Sequence, residues 1–207
     1  MITWATSDGR DEGGTRVVPA ASTIKLFVAS AFWRSPLDPH EEVGVPTVPW
    51  SVADRLSEPV TLGDCALLML AFSDNAATNV LLERLGLDAV NEEAARLGAE
   101  QTAIRRPMMA AGPENLTCAL DLARGLAAID EERVFEALSV AHDSELPLRL
   151  AGREVLVKTG EIWPRVYHEV ALVDRQLAVA VCSEPAVLPG ELAATAERVI
   201  RTSLDRG

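Results

Sequence analysis

The alternation of apolar and polar positions divides the chain before any single residue matters. Ile2–Thr6 predicts a short strand turning at Ser7-Asp8-Gly9, and Arg16-Val17-Val18 a second strand after the polar, glycine-bearing connection Asp11–Gly14. From Ser22 an apolar run with helical character (Leu26, Phe27, Val28, Ala29, Ala31, Phe32) predicts a helix to about Arg34. Ser35–Pro59 is rich in proline (Pro36, Pro39, Pro46, Pro49, Pro59) and reads as loop, with His40 a solvated residue in it. Thr61 is placed to cap a helix over Leu62–Ala71. Asn75–Leu85 and Leu87–Leu97 read as helices closed by Gly86 and Gly98, and Cys118–Ile129 and Glu131–His142 as two more. Thr102–Thr117 is irregular, and Ser144–Gly152 reads as a loop feeding the strand Glu154–Val157. Val166–Val173 and Leu177–Cys182 predict a hairpin turning at Asp174-Arg175, and Glu191–Leu204 a closing helix.

Two strands thus come first and three last, with helices between them. The pattern predicts an α/β (α+β) architecture: residues 1–35 and 152–207 form an α/β lobe, and residues 36–151 a helical lobe inserted between strands two and three. Ligand sites favour such junctions, and Ser22, Ser73 and Lys158 would meet there, one from each segment.

Composition narrows the partners. At 207 residues and 48% hydrophobic the chain can bury a real core. A net charge of −12 argues against nucleic acid and anionic membranes. No apolar run approaches the roughly 20 residues of a membrane span, and Met1-Ile2-Thr3-Trp4 has neither the basic nor the apolar region of a signal peptide. Cys65, Cys118 and Cys182 are widely spaced; Cys65 and Cys182 read as small buried hydrophobes. No metal pattern is present and no cofactor is expected. The expected compartment is cytoplasmic for the chain as written, and extracytoplasmic if it is a trimmed mature form.

The candidate chemistry starts at Ser22-Thr23-Ile24-Lys25. At a helix start, positions i and i+3 share a face, so Lys25 points back towards Ser22. A buried lysine loses its proton readily, and a neutral amine beside a hydroxyl makes it a nucleophile. The chain holds 19 Lys plus Arg, but only Lys25 and Lys158 are lysines. Arginine cannot serve as a base, so these two positions stand out. Lys158 opens Lys158-Thr159-Gly160 at the end of an apolar strand, and Ser73-Asp74-Asn75 lies between the two lysines.

These three motifs, in this order, resemble the class A β-lactamase and penicillin-binding-protein family. Both tripeptides following a Ser-x-x-Lys arise by chance on the order of once in a thousand chains of this size. Pro19-Ala20-Ala21-Ser22 resembles the family's strand-to-helix passage, and Thr61-Leu62-Gly63-Asp64 the helix before its second motif. The resemblance runs from about Ile2 to the last helix. It implies a five-stranded antiparallel sheet with flanking helices. It also implies a helix ahead of the first strand, for which this chain has no residues; the outer sheet face would then expose apolar surface and support a homodimer.

By that resemblance Ser22 is the acylated nucleophile, Lys25 its base or proton relay, and Ser73 the donor to the leaving nitrogen. Asn75 holds the substrate amide, Lys158 and Thr159 bind a substrate carboxylate, Gly160 permits close approach, and the N–H groups of Ser22 and Glu161 form the oxyanion hole. Asp74 reads as a helix cap. His168 reads as structural, Trp163 as a wall of the site, Trp4, Trp33 and Trp50 as packing or loop residues, and Arg105 and Arg106 as partners for acidic groups. The family's hydrolases carry a Glu-x-x-x-Asn pattern for the deacylating water; here the segment offers Met108-Met109, with Glu114-Asn115 adjacent and unspaced. Acylation by a β-lactam or another small-molecule amide or ester is the leading expectation, with slow deacylation. An acyltransferase or peptidase of the same fold, or a non-catalytic relative that binds acyl ligands, are the alternatives.

Overall fold

The computed structural model describes residues 1–57, 59–141 and 143–205. In chain order the strands are β1 (Ile2–Thr6), β2 (Asp11–Glu12), β3 (Val18–Pro19), β4 (Glu42–Val43), β5 (Val60–Thr61), β6 (Leu116–Thr117), β7 (Val155–Ile162), β8 (Val166–Val173) and β9 (Leu177–Ser183). The helices are α1 (Lys25–Arg34), α2 (Leu62–Ala71), α3 (Asn75–Leu85), α4 (Leu87–Arg96), α5 (Ala119–Ala128), α6 (Glu132–Ser139), α7 (Leu146–Arg149) and α8 (Pro189–Leu204). A five-stranded antiparallel sheet of order β2-β1-β9-β8-β7 carries the architecture.

Local chemistry explains most boundaries. Thr61 caps α2 through a reciprocal box: its hydroxyl accepts from Asp64 N–H at 3.1 Å, and Asp64 accepts from Thr61 N–H at 3.0 Å. Gly86 ends α3 at φ +79°. Asp174 and Arg175 both adopt left-handed backbone, at φ +49° and +56°, as a two-residue turn between right-twisted strands requires.

Three elements differ from the sequence expectation, the first being β4, which lies in the expected loop 35–59 and pairs with β5. The fifth strand of the sheet is Asp11–Glu12, not Arg16–Val18. Both residues of β2 are exposed on the sheet edge, so no apolar alternation marks them. Val18–Pro19 instead pairs with Leu116–Thr117, outside the main sheet. The expected loop 144–152 contains the single-turn helix α7, started by Ser144, whose hydroxyl accepts from Leu146 N–H at 2.9 Å, and by Pro147 in its first turn. The expected end of the sixth helix at His142 lies outside the described residues.

The inner sheet face (Leu156, Val170, Leu172, Ala178, Ala180, Cys182) packs on α5, and α1 runs buried among α2, α3, α4 and α6. The outer face (Val157, Tyr167, Ala171, Val173, Val179, Val181) is covered by Leu192, Ala196, Val199 and Ile200 of α8 and by Leu146 of α7. The middle of this face is therefore covered, and the apolar surface expected there from the sequence is confined to the partly buried Ile2, Trp4 and Val155 beside it.

Candidate active site

Ser22 reaches its place through a segment held from three sides. Ala20 N–H donates to Asn115 O at 2.8 Å, the ring of His168 bonds Pro19 O at 2.7 Å, and Thr23 Oγ1 donates to Ala20 O at 2.6 Å. The chain then enters a 3₁₀ turn over Ala21–Ile24, with Ala21 at φ +50°, and continues as α1. A non-glycine residue in this region is strained and persists only where the surroundings impose it. Gly160 of β7 lies against the turn: a Cβ there would stand 3.0 Å from both Ser22 N and Thr23 N. The close approach expected of Gly160 towards a substrate is made here to the backbone of Ser22 and Thr23.

Lys25, wholly buried, is the hub. Its Nζ donates to Ser73 O at 2.6 Å, to Asn75 Oδ1 at 2.9 Å and to Ser73 Oγ at 3.2 Å. Burial, and then the charge of Lys158, hold its pKa well below the ordinary lysine value. As a neutral amine it would spend its two hydrogens on Ser73 O and Asn75 Oδ1 and keep a lone pair for a proton. Lys158, also fully buried, donates to the same Ser73 Oγ at 3.2 Å and to Thr159 O at 3.0 Å. Its pKa is lowered by burial, against the pull of Asp143, 3.6 Å away.

Ser73 is held at φ +54° in the junction of α2 and α3. Asp74 fixes that junction: it caps α3 by accepting from Ala77 N–H at 2.9 Å, and accepts from Ser51 Oγ, Val52 N–H and Ala53 N–H at 2.8, 2.7 and 3.1 Å. Burial raises its pKa, but these hydrogen bonds outweigh it and hold the carboxylate below its ordinary range. The expected capping role of Asp74 is what the geometry shows.

Ser22 and Glu161 border two clefts. The larger, about 500 Å³, runs past Ser73, Thr159, Tyr167 and Asp143. The smaller, about 310 Å³, runs past Asn75, Arg106, Met108 and Glu114. Asn79 fixes the smaller cleft's loop, accepting from Met108 N–H at 2.7 Å and donating to Met108 O at 3.1 Å. Glu114 lines this cleft between Arg106 at 2.9 Å and Arg165 at 3.4 Å.

Ser22, Lys25, Ser73, Asn75, Lys158, Thr159, Gly160 and Glu161 therefore converge. His168 is fully buried on β8, holding Pro19 rather than facing a cleft, and His40 is exposed. Ile162, not Trp163, lines the smaller cleft. Sequence reasoning missed Asp143 and Asn79. Neither belongs to a spaced motif; the only signal for Asn79 was its place one turn after Asn75 on a predicted helix. Among the described residues no cluster of His, Cys, Asp or Glu is arranged to hold a metal ion, and no helix is long and apolar enough to cross a membrane.

The family described as the beta-lactamase enzyme family matches this chain over residues 4–201. Among solved structures, an ancestral class A beta-lactamase (GNCA) superposes with a TM-score of 0.85 at 20% identity, covering 98% of this chain and 94% of that one. A class A beta-lactamase from Mycobacterium abscessus gives 0.82 at 20% identity, covering 98% and 93%. A beta lactamase from Xanthomonas campestris pv. campestris gives 0.85 at 15%, covering 96% and 90%. None of the curated proteins matches.

Proposed function

Because the chain belongs to the beta-lactamase enzyme family, as a hydrolase of β-lactamase type, we propose that Ser22 is the residue acylated by a β-lactam or another amide or ester. The observation that carries this reading is the buried Lys25, its pKa depressed, one turn from Ser22 and anchored by Ser73 and Asn75.

Neutral Lys25 takes the Ser22 Oγ proton as Oγ bonds to the substrate carbonyl carbon. The carbonyl electrons move onto oxygen, facing the N–H groups of Ser22 and Glu161. Collapse re-forms the carbonyl and breaks the bond to the leaving nitrogen or oxygen, which takes its proton from Ser73. Lys25 returns a proton to Ser73, so the acyl-enzyme forms with no net proton change. Asn75 holds the amide of the acyl part. For deacylation by water the loop over the smaller cleft offers Met108 rather than a carboxylate, and Glu114 is committed to two arginines, which leaves Glu161 at the cleft edge as the unpaired carboxylate among the described lining residues.

Incubation with an activated ester that has an uncharged phenol leaving group, followed by intact mass over time, tests the proposal. A long-lived adduct on Ser22, absent in Ser22→Ala, supports it. A rapidly lost adduct supports acylation with competent hydrolysis. Acyl mass retained by Ser22→Ala sinks the assignment.

A further inference from the structure

The larger cleft holds an internal carboxylate where a substrate carboxylate would bind. Thr159 Oγ1 donates to Asp143 Oδ2, and Lys158 Nζ lies 3.6 Å from the same oxygen. Lys158 donates to Ser73 Oγ and Thr159 O, and its charge is opposed by the Asp143 carboxylate 3.6 Å away. The pair of donors suited to an anionic ligand is therefore already satisfied from within the chain.

Among the described residues, what remains of this cleft carries no further cation. Phe72, Val140 and Pro189 form apolar walls, and Glu161 stands at the edge. Beneath it, Glu169 accepts from Ser144, the residue next to Asp143; burial raises the Glu169 pKa to about 7, so it adds negative charge in mildly alkaline solution. An entering carboxylate would meet Asp143 at short range, and like charges in one site oppose each other's ionisation. An ammonium or an uncharged donor meets an acceptor instead, because the Asp143 side chain is 38% exposed. Ser73 lines the same cleft, so the group that occupies it is the one that leaves.

We infer that Asp143 sets the specificity of this half of the site, rejecting anionic leaving groups and accepting neutral or, preferentially, cationic ones with an apolar portion against Phe72 and Val140. The inference rests on the reading of Ser22 as the acylated residue.

Phenylacetate esters of phenols bearing a 3-carboxylate, 3-carboxamide or 3-aminomethyl group test it. The rate of phenol release and the phenylacetyl mass on Ser22 are followed in the wild type and in Asp143→Asn. Intrinsic ester reactivity cancels in the ratio of the two proteins. The ratio of aminomethyl to carboxylate rates is expected to fall about tenfold or more in Asp143→Asn, in line with the size of close charge-pair effects, while Asp143→Glu retains the wild-type order. An unchanged ratio with normal Ser22 adducts overturns the inference alone. A wild type that prefers the carboxylate ester does the same. No phenylacetyl mass on Ser22 from any ester overturns the acylation reading, and this inference with it.

Discussion

Lys25 and Lys158 both reach the Ser73 hydroxyl at 3.2 Å, yet their surroundings differ. Lys25 faces only neutral acceptors, whereas Lys158 has Asp143 beside it. Lys25→Arg is therefore expected to lower acylation about 10²-fold or more, because a guanidinium cannot take the Ser22 proton. Lys158→Arg keeps the charge and should lose less, its cost coming from a larger head in a fully buried slot. Acylation rates of the two variants against one activated ester decide this; equal losses would remove the case for Lys25 as base. The acylation rate should rise with pH well below the ordinary lysine range, since burial and Lys158 depress Lys25. Glu169 gives a separate pH effect. Its carboxyl titrates near 4.5 when unfolded and is raised to about 7 by burial. Below 4.5 both states hold the proton; between the two values only the folded state does, so stability falls as pH rises through that window and stays lower above it. Glu169→Gln should stabilise the protein by up to about 3 kcal/mol more at pH 8 than at pH 4 in urea unfolding. An equal effect at both pH values would contradict the raised pKa. At this scale the motif residues were legible because a short spacing tied each to a backbone turn. Asp143 was not, because its meaning arises only when a loop folds back on Lys158.

Packing between elements overrides local preference at Gly125. Alanine is the better helix former by about 1 kcal/mol, and Gly125 lies inside α5. A Cβ there would come within 2.6 Å of Phe27 Cε1 on α1. Gly125→Ala should therefore destabilise by about 1–3 kcal/mol despite the propensity gain, measured as a lower urea midpoint; a stabilised variant would show that α1 and α5 can separate freely. Helices with chemical punctuation were legible almost to the residue: Thr61 with Asp64, Asp74, and Gly86 each supply a group the helix end needs. The edge strand β2 was not, since two exposed residues carry no alternation, and its pairing is supplied by β1 together with Trp4 Nε1 donating to Glu12 at 3.2 Å. Of the expected strand Arg16–Val18, Arg16 and Val17 are exposed and only Val18 pairs, with Pro19, against β6 just before the chain reaches Ser22.

For the molecule as a whole, the order of elements was readable because two strands, a helical middle and three strands leave few ways to close one sheet. The covered outer face was not, because the reach of α8 across β8 and β9 is a property of the assembled layers. Turnover is also a property of the assembly. With Met108 clamped by Asn79 and Glu114 held by two arginines, an ester substrate should give a burst of about one equivalent and then a slow phase, consistent with a missing general base worth ~10²–10⁴ in rate. Glu114→Gln should leave the slow phase nearly unchanged; a hundredfold drop would make Glu114 the deacylation base. The sheet order has one more consequence, for biosynthesis. Ile2 pairs with Ser183, so β1 waits for β9 before it has its inner neighbour. During translation the first strands and the Ser22 turn emerge long before the hairpin that completes them, and such distant pairings close slowly. Lys158 lies on β7, which emerges just before that hairpin, so a nascent chain carries Ser22 without the second lysine, and the acylation proposed for Ser22 has to await the docking of the last strands.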